Sequence, residues 1–164
     1  MTRYTYIDSP LGPMLLMSDG SHVTGLHFQS DRYMPSVGTD WIRDDRHALV
    51  TEAATQIARY FAGELTRFDL PIAPSGTAFQ QLVWTALRDI PHGTTESYGQ
   101  LARRIGQPTA SRAVGAANSR NPISIIVPCH RVIGADGSLT GYAGGMHRKQ
   151  ALLALERCGT GQLF

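Results

Sequence analysis

The residues best suited to chemistry stand together in the run Pro128-Cys129-His130-Arg131. A cysteine thiolate is a strong nucleophile, and an adjacent imidazolium or guanidinium group can lower the thiol pKa from about 8.5 to roughly 3.5–7.5. Pro128 has a fixed φ and no backbone N–H, so it restrains the chain directly before the thiol. We therefore predict that Cys129 is an activated nucleophile. A buried, inert cysteine is the alternative for any isolated Cys.

Other uses of these residue types fit the sequence less well. The second cysteine, Cys158, follows 29 positions later, no Cys-x-x-Cys pair exists, and the six histidines are scattered singly. This spacing predicts no metal site, and Cys158, with only Arg157 as a basic neighbour, is expected to be unreactive. A cysteine hydrolase that uses Cys129, His130 and a carboxylate stays open on these residues alone.

The composition is that of an ordinary folded chain. Its 164 residues, 42% of them apolar, can form one domain, or a small module joined to a slightly larger one. No run of about 18 apolar residues could span a membrane, and the N-terminus lacks the apolar stretch of a signal peptide. We therefore expect a cytoplasmic protein that makes no use of a membrane and keeps both thiols reduced.

Charge is distributed unequally along the chain. Residues 1–87 carry six Arg against nine acidic residues, a net charge of −3, whereas residues 88–149 carry eight basic residues against three acidic ones, a net charge of +5. The basic part contains Cys129. This asymmetry favours contact with phosphates, and solvated surface charge is the alternative.

Periodicity and turn residues predict a small antiparallel sheet covered by a helix in the first 74 residues. Ser9-Pro10-Leu11-Gly12 favours a turn between two β-prone segments, and a helical pattern stops at Gly63. The predicted elements are strands at 3–8, 13–18 and 22–28, a loop at 29–44, a helix at 46–62 and an edge strand at 66–72.

The second domain, residues 75–164, is predicted to be mostly helical. Thr77 can cap a first helix that must end before Pro91, and Gly106-Gln107-Pro108 separates two short helices in the manner of a helix-turn-helix. The predicted elements after the first helix are helices at 97–105 and 109–120, a buried strand-like segment at 123–127, a loop with five glycines at 134–145 and a helix at 146–157. The fold class is therefore α+β with a winged-helix-like second domain.

A series of motifs occurs in order between residues 77 and 157, and in this order it resembles the O6-alkylguanine-DNA alkyltransferases. The N-terminal part shows a weaker likeness. The motifs are Phe79-Gln-Gln-Leu-Val-Trp84, Ile90-Pro-His-Gly93, Ser97-Tyr-Gly99, Arg112-Ala-Val-Gly115, Asn121-Pro122, Pro128-Cys-His-Arg-Val132 and Gly141-Tyr-Ala-Gly-Gly145, with Ser9-Pro-Leu-Gly12 and Tyr60-Phe-Ala-Gly-Glu64 before them.

The resemblance implies DNA repair by a reaction that each molecule performs once. Cys129 would displace the alkyl group from O6 of guanine and keep it as a thioether, which has no good leaving group. The family links this cysteine through a water to a histidine and a glutamate, which correspond to His130 and Glu156. Tyr142 matches the hydrogen-bond donor to O6, and Asn121 matches the residue that pins the turn before the active-site segment. No cofactor is implied.

The resemblance also implies how the base is held. The alkyl carbon cannot be reached inside a stacked duplex, so the base must be turned out. Val132 matches a backbone contact to that base. Ala143 stands where some relatives carry Ser and keeps the backbone N–H that can face the base. Gly144, followed by Gly145, would let the chain approach the base closely.

Double-stranded DNA that carries alkylated guanine is the implied partner. Arg112 matches the finger that fills the vacated stack, and Tyr98 matches the residue that crowds the 3′ phosphate of the flipped nucleotide. Around Ala113 and Gly115 the helix has few long polar side chains, which suits close approach to the minor groove without reading of sequence. The protein is expected to act as a monomer, and the sequence leaves cooperation on DNA undecided.

Other interpretations compete with this one. A non-catalytic alkylated-DNA binding protein would share the fold but lack the cysteine, which is present here. A hydrolase or a DNA-binding regulator of another family predicts turnover or sequence-specific binding. Taken singly, Glu156 and Arg112 could be solvated charges, Tyr98 and Tyr142 ordinary aromatics, and Asn121 a plain helix-end residue.

Overall fold

The computed structural model describes residues 1–158, which begin with a four-stranded sheet covered by a helix. Strands β1 (Arg3–Ile7), β2 (Met14–Ser18) and β3 (Val23–Phe28) are antiparallel neighbours, as predicted. A fourth strand, β4 (Ile42–Arg43), pairs with β1 in parallel and completes the order β3-β2-β1-β4. Helix α1 (Ala48–Phe61) packs its apolar side, including Val50 and Ile57, against the sheet.

Two predictions about the first half need correction. The loop predicted at 29–44 contains β4, which is too short to show a period. The edge strand predicted at 66–72 is not formed, because the segment pairs with the sheet only at its end, where Val23 donates to Pro71 O (2.8 Å) and Ala73 donates to Val23 O (2.9 Å).

The second half is helical, with bounds close to those predicted. Its elements are α2 (Ala78–Leu87), β5 (Glu96–Ser97), α3 (Tyr98–Arg104), α4 (Ser111–Ser119), a short 3-10 helix (Cys129–Arg131), β6 (Val132–Ile133) and α5 (Met146–Cys158). β5 and β6 form a two-stranded parallel sheet.

Local chemistry explains where these helices begin and turn. Thr77 and Ser97 each accept a hydrogen bond from a backbone N–H of the first turn. The side-chain oxygen of the glutamine at the third helical position in turn accepts one from the backbone N–H of the cap residue, which makes a capping box at α2 and at α3. After α3 the chain turns at Gly106, whose φ of +77° favours glycine. Helix α4 begins two residues later than predicted. Helices α3 and α4 form the predicted helix-turn-helix, confirming the α+β fold class.

The strand-like segment predicted at 123–127 is instead a tight turn. Val127 donates to Ile123 O (3.0 Å), and Ile125 has a φ of +71°. The segment still bonds to the sheet, because Leu26 donates to Pro122 O (2.9 Å) and its own carbonyl accepts from Ser124 (3.0 Å). The apolar residues of both halves consequently form one continuous core.

Helix α4 is locked to α2 by a buried indole. Trp84 Nε1 donates to Ala117 O (2.8 Å), and Trp84 is 2% exposed. Val114 and Ala117 face this contact, while Arg112 and Ala113 are exposed. In residues 1–158 no helix combines the length and apolar character needed to cross a bilayer.

The cap of α3 provides a test of this architecture. Ser97→Ala removes the acceptor for the Gln100 N–H at 3.1 Å, and loss of such a cap costs about 1 kcal/mol. We expect the free energy of unfolding in urea to fall by that amount. Ser36→Ala, in an exposed loop, is the control and should change the free energy by less than about 0.5 kcal/mol; equal effects would contradict the assignment.

Candidate active site

Cys129 is held rigidly at the start of the 3-10 helix. Its backbone N–H donates to Val127 O (2.8 Å), and its carbonyl accepts from Asn118 Nδ2 (3.3 Å). The residue is 5% exposed, and its thiol is free. The nucleophile predicted from the sequence is therefore a buried side chain whose backbone is fixed on both sides.

Asn121 organises the turn that leads to this cysteine. Its Nδ2 donates to Val127 O (2.8 Å) and to Ile123 O (3.3 Å), while its Oδ1 accepts from Ile123 N (3.0 Å). One amide thus satisfies three backbone groups of the tight turn that apolar patterning mistook for a strand. Asn121 lies near enough to the thiol to lower the Cys129 pKa.

The carboxylate of Glu156 lies at the centre of a buried polar cluster. It accepts hydrogen bonds from His130 Nε2 (2.6 Å), from Arg131 Nε and Nη2 (2.8 and 3.1 Å), and from the Tyr60 hydroxyl (2.5 Å). The backbone N–H of Gly93 adds a longer contact of 3.4 Å. The structure therefore brings Glu156 to His130, as the resemblance implied, and adds donors that were not foreseen.

Protonation states follow from this geometry. Burial raises the pKa of Glu156, but His130 and Arg131 more than offset it and hold that pKa well below its usual range. Burial also lowers the pKa of His130. A carboxylate acceptor requires His130 Nε2 to carry the proton, so Nδ1 carries a lone pair. Nδ1 is buried and has no hydrogen-bond partner among residues 1–158.

The predicted activation of the thiol by its neighbours is wrong for the resting protein. Burial raises the pKa of Cys129 to about 11. The charge of Arg131 is directed at Glu156 and Ile90 O (2.7 Å), and His130 is neutral. The sequence shows that Arg131 is close to Cys129, but it does not show that Arg131 is already paired with Glu156.

A cation that does act on the thiol is Lys149, which sequence reasoning missed. Lys149 is fully buried in α5, and its Nζ donates to Val132 O (2.6 Å) and Thr140 O (2.8 Å). Burial lowers its pKa to about 8, and its charge in turn lowers that of Cys129. The sequence did contain a signal for this role, because Lys149 occupies an apolar position of α5, three residues before the buried Leu152.

Tyr142 presents a hydroxyl to the same region. The hydroxyl is buried and makes no hydrogen bond within residues 1–158, although Ser124 lies near enough to lower its pKa. Burial first, and then the proximity of Cys129, raises the Tyr142 pKa well above its ordinary value. Gly144 packs so closely on this ring that an added Cβ would lie 2.8 Å from it. Tyr142 is therefore a protonated donor that has no acceptor in the described part of the chain.

The remaining predicted residues lie on or beside the helix-turn-helix. Arg112 and Ala113 are exposed on α4, and Gly115 lies against the ring of Tyr98, where an added Cβ would be 3.6 Å away. The Tyr98 hydroxyl donates to Thr140 O (3.3 Å). Since Lys149 donates to the same carbonyl, one loop residue connects this surface to the thiol site.

Among residues 1–158, no three His, Cys, Asp or Glu side chains come together in a way that could hold a metal ion. The site is instead an ordered set of proton donors and acceptors around one thiol. A buried thiol, an imidazole lone pair and an unpaired phenol can together perform a nucleophilic displacement with proton transfer at both ends.

Comparison with known proteins matches both halves of the chain to the same family. Residues 2–74 match the family model of the ribonuclease-like domain of 6-O-methylguanine DNA methyltransferase, and residues 78–158 match that of its DNA binding domain. A methylated-DNA--protein-cysteine methyltransferase of Mycobacterium bovis is 54% identical, over 96% of this chain and 93% of its own length. One of Methanosarcina acetivorans is 50% identical, over 93% and 97%.

A solved structure shows the same fold. The crystal structure of Mycobacterium tuberculosis OGT in complex with DNA superposes with a TM-score of 0.88 at 51% identity, covering 96% of this chain and 94% of that one. The similarity therefore extends to both halves.

Tyr60 provides a test of the polar cluster. Tyr60→Phe removes a hydrogen bond to a buried carboxylate, which is worth roughly 1.5–3 kcal/mol, and we expect the free energy of unfolding to fall by about that amount. The control is Tyr4→Phe, whose hydroxyl makes no hydrogen bond to residues 1–158. If both variants unfold at the same urea concentration, the Tyr60 contact contributes nothing.

Proposed function

Because the chain belongs to the 6-O-methylguanine DNA methyltransferase family, we propose that it repairs DNA by transferring the alkyl group of an O6-alkylguanine to Cys129. The observation that carries this function is the buried thiol of Cys129 beside His130, whose Nδ1 lone pair has no partner in the described chain. The protein is thus a single-turnover methylated-DNA–protein-cysteine S-methyltransferase.

The reaction forms one bond and breaks one. The sulfur of Cys129 attacks the alkyl carbon, the new S–C bond replaces the C–O6 bond, and the electron pair leaves with the guanine. A thiol with a pKa near 11 must lose its proton during this step. The proton passes through a bridging water to Nδ1 of His130, whose Nε2–H already donates to Glu156.

The leaving guanine needs a proton where charge develops on O6. Tyr142 supplies it, because its hydroxyl is protonated, buried and without an acceptor among residues 1–158. The proton gained by His130 afterwards restores Tyr142, so no proton is gained or lost overall. The product thioether has no leaving group, and each molecule therefore reacts once.

The pocket for the flipped base is assigned to the ends of the glycine-rich loop. We assign the base contacts to the Val132 carbonyl, which Lys149 holds in place, to the backbone of Ala143 and to Gly144. The carbonyl of Ala143 accepts from Arg32 N (3.0 Å), which fixes the loop from the other half of the chain. These contacts need no cofactor.

The DNA-binding surface is assigned to the helix-turn-helix. We infer that Arg112 enters the base stack from the minor groove and that Ala113 and Gly115 let the backbone of α4 approach the duplex. Tyr98 would meet the phosphate of the flipped nucleotide. The exposure of Arg112 and the contact between Tyr98 and Gly115 support this assignment.

The remaining features are also inferences. We propose a structural domain at 1–74 and a DNA-binding and alkyl-transfer domain at 75–164, which the extents of the two family models support. We further propose that the protein acts as a monomer, because one chain supplies every assigned group. A cytoplasmic location suits a reaction that requires a reduced thiol. Non-catalytic binding is not favoured, since Cys129 is present.

Stoichiometry tests the function directly. We expect one equivalent of protein to remove one equivalent of methyl from O6-methylguanine in duplex DNA, with one methyl mass added to the peptide that contains Cys129. Mass spectrometry of the digested protein measures both. Cys129→Ala should bind the DNA without transfer, whereas Cys158→Ala, the matched control, should transfer normally. Repeated turnover, or a methyl group on Cys158, would refute the proposal.

The pH dependence tests the proton acceptor. Protonated His130 cannot accept the thiol proton, and burial lowers its pKa below the ordinary value of 6.5. We therefore expect the single-turnover rate at saturating DNA to change little from pH 7 to 6.5, where Lys149 with its pKa of about 8 is already largely protonated, and to fall only at lower pH. A rate that is already halved above pH 6.5 would argue against neutral His130 as the acceptor.

A further inference from the structure

Two exposed arginines, eight residues apart, stand at the two ends of α4. Arg112 lies in the first turn of α4, and Arg120 is the C-cap residue that directly follows the last helical residue, Ser119; both are exposed. Eight residues of helix span about 12 Å. Along one DNA strand this distance corresponds to roughly three to four nucleotides, at about 3.4 Å each.

An aromatic ring from the first half of the chain holds the far arginine. The guanidinium carbon of Arg120 lies 4.2 Å from the centre of the Tyr33 ring, and that of Arg32 lies 5.4 Å from the same ring. Such contacts orient a guanidinium group without neutralising it. One half-buried tyrosine therefore brings two exposed positive charges together.

These charges have no counter-ion in the described part of the chain. No carboxylate of residues 1–158 lies within 4.0 Å of the guanidinium nitrogens of Arg32 or Arg120. The adjacent Asp31 is 8% exposed, and its carboxylate accepts from the backbone of Tyr33 (2.8 Å). It therefore fixes the ring and does not pair with either arginine.

The same segment is attached to the active-site loop. The backbone N–H of Arg32 donates to Ala143 O at 3.0 Å, and Ala143 precedes the glycines of the proposed base pocket. The pair of arginines thus lies between the C-terminal end of α4 and the loop that carries Tyr142.

We propose that Arg32 and Arg120, oriented by Tyr33, form a second phosphate-binding site that holds the DNA strand beyond Arg112. A guanidinium group without a protein carboxylate is well suited to a phosphate, which it can bind through two parallel hydrogen bonds. The inference rests on the proposed function and deepens it, since it makes the first half of the chain a direct contact of the DNA.

Salt dependence provides the test. Each lost phosphate contact reduces the steepness of log K against log salt concentration by about 0.9. In a Cys129→Ala background, which prevents transfer, Arg32→Ala/Arg120→Ala should reduce the slope for an O6-methylguanine duplex by about 2. Fluorescence anisotropy measures the affinities. An unchanged slope would overturn the proposal.

The control removes the same charge elsewhere. Arg46→Ala/Arg59→Ala deletes two exposed arginines near the beginning and in the last turn of α1, and its slope should stay at the reference value. If it falls equally, net charge alone explains the effect and the site does not exist. Arg32→Lys/Arg120→Lys keeps the charges and should keep most of the slope.

Transfer separates this inference from the function on which it rests. With Cys129 present, the double alanine variant should need a higher DNA concentration than the unmodified protein to reach its half-maximal transfer rate. Transfer of one methyl group to its Cys129 also shows that the variant is folded. Normal transfer with an unchanged salt slope would refute only the second phosphate site. Absence of transfer by the unmodified protein would refute the proposed function.

Discussion

The buried carboxylate of Glu156 is the interaction on which the rest of the site depends. An ionised carboxylate in a protein interior is strongly destabilising unless donors surround it. Here the donors come from α1 through Tyr60, from the 3-10 helix through His130 and Arg131, and from the loop before α3 through Gly93. The same contacts that make the charge tolerable also fix the positions of these segments relative to one another.

This arrangement determines the state of the nucleophile. Because Glu156 engages Arg131 and keeps His130 in the tautomer with a free Nδ1, neither neighbour gives Cys129 a positive charge. The thiol therefore rests protonated, with a pKa near 11. Oxidants and stray electrophiles react with thiolates far more readily than with thiols. A protein that can react only once benefits from a thiol that loses its proton only when the alkylated base is in place.

Sequence reasoning succeeded where the signal was local. Hydrophobic period and capping residues placed α1 to α5 and the first three strands within a few residues, since a helix and its cap depend on neighbours in the chain. The strands predicted at 66–72 and 123–127 were wrong, because the pairing of these segments is determined by β3, which lies about 50 and 100 residues away in the sequence. At 123–127 the amide of Asn121 replaces strand hydrogen bonds, and no apolar pattern reveals this.

The same distinction holds for the site. The structure places Glu156, which motif resemblance linked to His130, against both His130 and Arg131. The lowered thiol pKa predicted from sequence adjacency was wrong, because Arg131 pairs with Glu156. Tyr60 acts on a carboxylate 96 positions away, and a helix pattern records only that it is buried. The position of Lys149 among the apolar residues of α5 indicates that it is buried, but its partners, the carbonyls of Val132 and Thr140, are known only from the structure.

These long-range contacts explain what the first 74 residues contribute to a reaction whose assigned groups all lie after residue 97. Tyr60 reaches Glu156 from α1. Arg148 reaches back from α5 to the carbonyls of Leu11 (3.1 Å) and Gln29 (3.1 Å) while it holds that of Gly144 (3.0 Å). Glu156 with its bound His130, and the loop that carries the base pocket, are thus each attached to the first half of the chain. Loosening that half would displace the proton acceptor and the loop together. A displacement reaction is sensitive to such shifts, because sulfur, carbon and leaving oxygen must stay in line within a fraction of an ångström.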